Sequence, residues 1–349
     1  MSARRVYNAL NKGGVFCIFK PKGISVQHCV RKIKFNLAQG LNHMYNDEPL
    51  KERVQIDEDN IGTDLPVVTT VPDLAASSLV LGPMYQPEDF RVHYCGELGS
   101  FASGVTVLGI GEGCKLVKKI LDARYIHVYH VKGTLGRATD NFAPDGHLVE
   151  KTTWNHVKRP TIDRILAASQ ALHQRQMFLN MRVDPQSQEA YDIAAKGLIR
   201  PEDGYTAPII YNMKCIEFQP PDFTVEVHCV NEHSKYLRQI THNVGLEAKS
   251  TAICTQIRRI RYGHFTLSHA LLDKHWTVEH ILSNIKHCKS LTKRSLLKPG
   301  PNMIQLEHRD TSALEPGDRD TPSLDPGCFD AEKRLENVPQ DQEIIKNKR

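Results

Sequence analysis

The hydrophobic period of this chain switches repeatedly between two and 3.6, without the strict strand–helix–strand rhythm of a doubly wound sheet. That irregular alternation confines it to an α+β architecture. Gly14 to Phe19 is a short apolar run suited to a buried strand, closed by the turn residues Lys20, Pro21, Lys22 and Gly23. Ser25 then caps a helix whose Val26, Cys29, Val30 and Ile33 fall at i, i+3, i+4 and i+7. Val105, Val107 and Leu108 read as a strand, followed by Gly109, Gly111 and Gly113 and a helix bearing Leu116, Val117, Ile120 and Leu121. Tyr125–Leu135 and Thr224–Val230 are strand-like, and Ile162–Leu172 is helical. A last helix carries Tyr236, Leu237, Ile240 and Val244 on one stripe and is expected to stop at Gly245.

With 349 residues, 40% hydrophobic and 24% charged, the chain is long and apolar enough for a packed core, which excludes collagen-like, coiled-coil and wholly disordered readings. Its best apolar window, Leu98 to Gly111, is too short and glycine-broken to span a membrane, so no membrane span is expected. The nine cysteines show no CxxC or zinc-finger spacing and read as buried thiols of a reducing compartment. Residues 1–12 read as a basic N-terminal tail or a short mitochondrial import segment. One domain is expected over 13–285, interrupted by a surface insertion at 40–75, with a disordered acidic, proline-rich tail over 290–349.

The net charge of +5 hides a segregation of sign. Pro299–Ile345 carries −7 and Asp47–Asp64 carries −5, which leaves +17 on the rest. A body so basic points to a polyanion, and nucleic acid is the best partner. Four basic clusters carry that inference: Arg31, Lys32 and Lys34; Lys115, Lys118, Lys119 and Arg124; Lys158 and Arg159; and Arg258, Arg259 and Arg261. Taken singly each reads as a solvated helix face. Together, with Tyr125, Tyr129 and Tyr262 among them, they combine phosphate-neutralising charge with rings on which bases stack.

Two other signals point away from chemistry. GIGEGCK, Gly109 to Lys115, matches neither phosphate-loop spacing and reads as a strand-to-helix turn. His127 and His130, three apart on a strand, face opposite ways, so no metal site is expected from the histidines.

Several segments, in order, resemble the TruB family of RNA pseudouridine synthases. GVFCIFKPKGIS (14–25) resembles that family's strand-then-KPxG opening, and GELGSFASGVTVLGIGEGCKLV (96–117) its central segment GxLDxxAxGxLxxxxGxxxKL. Tyr129 in YIHVYHVKGTLG stands at the place of the active-site tyrosine, and AYDIAAKG (190–197) resembles an AYxxAxxG helix. KYLRQI (235–240) and QIRRIRYGHF (256–265) are similar to YIRxL and LRRxxxGxF. The matches cover about 14 to 270, and GLIRP (197–201) is most like the mitochondrial paralogue of animals.

This resemblance implies the pseudouridine synthase fold, a central mixed β-sheet flanked by helices with an RNA-binding cleft. It implies a monomer that flips a uridine from a tRNA or mitochondrial RNA stem-loop and rejoins its base through C5, with no cofactor and no metal. The location it implies is mitochondrial, with cytoplasm or nucleus as the alternative. The implied catalytic positions are 99, Tyr129 and Arg238; the implied RNA-binding residues include Lys20, Lys22, Lys115, Lys118, Lys119, Arg124, Arg258 and Arg259. Yet aligning Gly96, Leu98, Ala102 and Gly104 puts Gly99 where the family has its nucleophilic aspartate. Glu97, two positions back on the same face of an extended segment, is the substitute within reach. The expectation divides between a synthase with a replaced nucleophile and a non-catalytic RNA-binding or chaperoning protein on the same fold.

Overall fold

The computed structural model describes residues 2–50, 52–57, 67–180, 183–196, 198–200, 208–293 and 303–305. The chain opens with α1 (Ala3–Lys12) and β1 (Gly14–Lys20), followed by α2 (Val26–Asn46), the hairpin β2 (Glu52–Asp57) and β3 (Val67–Pro72), and the short α3 (Ser78–Leu81). Then come β4 (Val92–Cys95), β5 (Ala102–Ile110), α4 (Gly113–Asp122), β6 (His127–Leu135) and a second hairpin, β7 (Arg137–Thr139) with β8 (Leu148–Lys151). Next are α5 (Arg159–Asn180), α6 (Gln188–Lys196), β9 (Leu198–Arg200), β10 (Ile209–Gln219), β11 (Asp222–Val230) and α7 (Ser234–Glu247). The last elements are β12 (Ala252–Tyr262), β13 (Phe265–Thr266), β14 (Ala270–Leu271), α8 (Val278–Cys288) and β15 (Met303–Gln305).

Nine strands build the main sheet, in the order β10-β11-β6-β12-β5-β1-β14, with β13 and β4 added on β12 and β5. It is mixed: β6 is antiparallel to β11 and β12, β12 meets β5 in parallel, and β5 meets β1 antiparallel. Alternation sets the faces. Tyr129, Val131 and Leu135 of β6 pack with Ile257, Leu237 of α7 and Ile162 of α5. A second layer joins Phe16 and Ile18 to α1, α2 and α8, and a third joins Val105 and Val107 to Val117 and Ile120 of α4. The inner strand β5 is buried at every position, its polar Ser103 and Thr106 included. All eight cysteines among the described residues are buried and unbridged, and no described helix is long and apolar enough to cross a membrane.

The structure corrects several boundaries. Residues 3–12 are not a tail: they form α1, whose Ala3, Val6 and Leu10 are buried against α2 and β5. The basic residues that made the segment look like a tail lie on the helix face turned away from that core. Leu10→Ala is therefore expected to cost about 2–5 kcal/mol in a urea melt, as for a core leucine; a loss under about 0.5 kcal/mol, the range of an uninvolved surface position, would show that α1 is not docked. Residues 40–46 are not insertion either, because α2, capped by Ser25, runs on through buried Leu41 to Asn46; beyond it the surface hairpin of β2 and β3 begins. Gly245 does not end α7. A methyl group there would lie 2.5 Å from the backbone nitrogen of Ala252, so this glycine admits the close approach of β12 instead. The acidic tail falls, after residue 293, outside the described residues, apart from β15, which pairs in parallel with β9. Gly197 and Pro201 also lie outside them.

Candidate active site at the 96–101 loop

The loop that precedes β5 is stitched to the turn that follows β1. The Gly23 backbone N–H donates to Ser100 O at 2.8 Å, and Ala102 N–H returns to Gly99 O at 3.1 Å. Beneath them the Lys20 ammonium donates to Ala102 O at 2.6 Å and to Pro21 O at 3.1 Å. Lys20 is fully buried, and burial, with a smaller push from Arg259, lowers its amine to about 8. It fixes the loop and is not the exposed phosphate ligand its sequence suggested.

Position 99 lies beside the first turn of α7. A Cβ on Gly99 would stand 2.8 Å from Ser234 Oγ and 3.5 Å from its Cβ, so the serine hydroxyl occupies the space an aspartate side chain would enter. One turn further on, Arg238 donates through Nη1 to Asn141 O at 2.9 Å and through Nε to Ser234 O at 3.4 Å, and its guanidinium lies 5.5 Å from the ring centre of Phe101. Lys22 approaches the same ring at 4.6 Å and donates to Thr255 O at 3.1 Å. Among the described residues neither cation forms an ion pair. Glu97 is exposed and has no hydrogen bond or ion pair among the described residues.

The hydrogen bonds of Tyr129 run to other residues than these. This tyrosine is 2% exposed, and its hydroxyl donates to Glu232 Oε1 at 2.5 Å while accepting from Arg259 Nη1 at 3.4 Å. His127 Nδ1 meets the same carboxylate oxygen at 2.6 Å. Arg259, paired in register with Tyr129 on the neighbouring strand, is also buried; its Nε donates to Val105 O at 2.8 Å. Like Lys20, Arg259 was read as RNA-binding, and the structure places it in the core. Burial opposes ionisation of Glu232, but His127 and the Tyr129 hydroxyl outweigh it and hold the carboxyl below its ordinary range. The same surroundings, burial first and Glu232 second, push the Tyr129 phenol well above its usual value. Glu232 Oε2 is buried with no hydrogen-bond partner.

The remaining basic residues are spread over the molecule. Lys115 pairs with Glu112 at 2.5 Å, and Lys118 and Lys119 are exposed on α4 with Arg124 just after it. These rise from the layer of Val117 and Ile120, whereas Arg238 rises from α7 over the layer of Tyr129 and Leu237. Arg258 is exposed, 5.4 Å from the ring centre of Phe19. Among the described residues no three His, Cys, Asp or Glu side chains converge on a metal position. In GIGEGCK a Cβ on Gly113 would lie 2.0 Å from Gly14 O, so backbone packing demands that glycine.

Sequence reasoning missed Ser234, Phe101, Asn141 and Glu232. Ser234 and Glu232 flank His233, whose extended backbone turns both toward one side. The sequence signal for Glu232 is an acid at a strand-to-helix junction, which is too common to single out.

The chain matches the family profile described as "TruB family pseudouridylate synthase (N terminal domain)" over residues 84–234. It is 39% identical over 301 residues to the human "Pseudouridylate synthase TRUB2, mitochondrial", covering 84% of this chain and 90% of that protein. The protein of that name from Xenopus tropicalis is 38% identical over 284 residues, covering 80% of this chain and 86% of that one. Among solved structures, a chain of the archaeal box H/ACA Nop10–Cbf5 complex aligns with a TM-score of 0.41 and 13% identity, over 84% of this chain and 60% of that chain.

Proposed function

This chain belongs to the TruB family of pseudouridylate synthases, and from that premise we propose that it binds structured RNA in the synthase cleft while isomerisation through a carboxylate at position 99 is closed to it. The observation that carries this reading is the pairing of Gly99 with Ser234: the nucleophile's side chain is missing and a hydroxyl stands 2.8 Å from where its first carbon would be. A serine hydroxyl with no base on it is a poor nucleophile at neutral pH. Arg238, which the resemblance assigns to the aspartate, meets two backbone carbonyls in its place. What remains is a basic mouth, an aromatic ring flanked by two cations, and a loop already fixed by Lys20 and Gly23. Such a mouth suits an RNA backbone. The names of the related proteins support a mitochondrial location; a tRNA or mitochondrial RNA target is what the resemblance implies.

A second reading keeps the enzyme. Glu232 places a buried, ionised carboxylate on the hydroxyl of Tyr129, which supports a synthase in which that acid has taken over part of the aspartate's work. One measurement separates the two. Purified protein is incubated with [5-³H]uridine-labelled tRNA and mitochondrial RNA, and both binding and tritium release are followed. Binding without release is the expected result. Release that Glu232→Gln abolishes while Glu97→Gln leaves it intact would overturn the first reading in favour of the second.

A further inference from the structure

The cations at the mouth are arranged for an anion that none of the described residues supplies. Lys22 and Arg238 lie against one ring, 4.6 and 5.5 Å from the centre of Phe101. Each has a donor fixed on a backbone carbonyl, of Thr255 for Lys22 and of Asn141 for Arg238, so the side chains are held in place before any ligand arrives. Arg238 is half-buried, and a guanidinium drawn partly out of water is stabilised by a carboxylate or a phosphate, whose oxygens match its fork. No such group among the described residues reaches either cation. The position that would carry one, residue 99, is a glycine touching Ser234, one helical turn from Arg238.

We propose that Arg238 and Lys22 form a phosphodiester site, in which a phosphate of the RNA strand stands where the family has an aspartate carboxylate. Loss of the nucleophile and gain of a phosphate contact are then one change. An aspartate at 99 competes with RNA for Arg238, and its absence frees the arginine for the backbone. The inference rests on the RNA-binding reading, and it names the group on the RNA that is held.

Neutralising one phosphate releases counterions and adds close to one to the slope of log K against log salt. A fluorescein-labelled RNA stem-loop with uridine in its loop is titrated with the full chain between about 50 and 200 mM salt. Arg238→Ala and Lys22→Ala are each expected to lower the slope by about one, and Arg238→Lys to retain it. Gly99→Asp should lower it by about one as well, but should have no further effect once Arg238→Ala is present. Each variant is first shown to melt cooperatively, so that this non-additivity marks a contact shared by the two positions and not unfolding. Unchanged slopes in both Arg238→Ala and Gly99→Asp would overturn the proposal. So would Arg238-dependent binding of inorganic phosphate alone without any change in the RNA slope, which would assign the site to a free anion. If the unaltered chain binds no RNA at any salt, it is the RNA-binding reading that fails.

Discussion

Gly99→Asp combined with Ser234→Ala is expected to convert a chain that releases no tritium from [5-³H]uridine RNA into one that does, whereas Gly99→Asp alone gives a weaker gain. The reason is steric. Gly99 lies outside the left-handed backbone region, so an aspartate there is not strained by φ; its Cβ, however, would come within 2.8 Å of Ser234 Oγ. Alanine at 234 removes that oxygen and leaves the methyl group at 3.5 Å, an ordinary contact. Arg238, one turn along α7, is free to take the new carboxylate, which keeps it ionised and oriented. Removing a covalent nucleophile can cost on the order of 10⁶-fold in turnover, so even a misplaced carboxylate has room for a gain well above background. Tight RNA binding by the double variant with no release would mean that the site has drifted by more than the two residues restored.

The parts of this molecule legible in the sequence are those written in short-range pattern. Period and punctuation placed β1, β5, β6, β11 and the helix after Ser25, because a buried strand or an amphipathic helix must carry its apolar residues at fixed offsets. The motif order pointed to the loop at 96–101, Tyr129 and Arg238, and the structure sets Arg238 one helical turn from the serine that meets position 99. What the sequence did not disclose depends on long-range packing. Lys20 and Arg259 have the composition of RNA ligands, yet both are buried, each held on the backbone carbonyls that the sheet brings to it. Residues 1–12 read as a basic tail because only three positions in ten face the core, which is enough to dock a short helix when α2 offers the other half. Ser234 met Gly99 through a contact 135 residues apart in the chain, for which one sequence holds no signal.

Removing either end of the buried network around Tyr129 is expected to cost more stability than any surface change. Tyr129 is the intermediary between Glu232 and Arg259: its hydroxyl donates to the carboxylate and accepts from the guanidinium. Arg259→Ala strips Val105 O and Tyr129 of their donor and leaves the Glu232 charge buried, a change of the kind that costs about 3–5 kcal/mol. Glu232→Gln keeps the shape and loses the charge, at about 1–3 kcal/mol. The two differ in their pH dependence, and the sign follows from the lowered carboxyl of Glu232. In the unfolded chain this group titrates near 4.5; in the folded chain it titrates lower. The unfolded state therefore binds the proton more readily, so the stabilisation is complete above that value and is lost as the pH falls through the folded one. Chemical denaturation of the unaltered chain and Glu232→Gln at pH 7, and again below about pH 4, should show the gap between them closing in acid. A gap that stays constant or widens would mean that Glu232 contributes through shape and not through charge. Tyr129→Phe belongs to the same experiment, since it parts the carboxylate from the arginine without emptying the core. If it weakens RNA binding only in proportion to the stability it loses, then the hydroxyl of Tyr129 serves this chain as a structural link between Glu232 and Arg259.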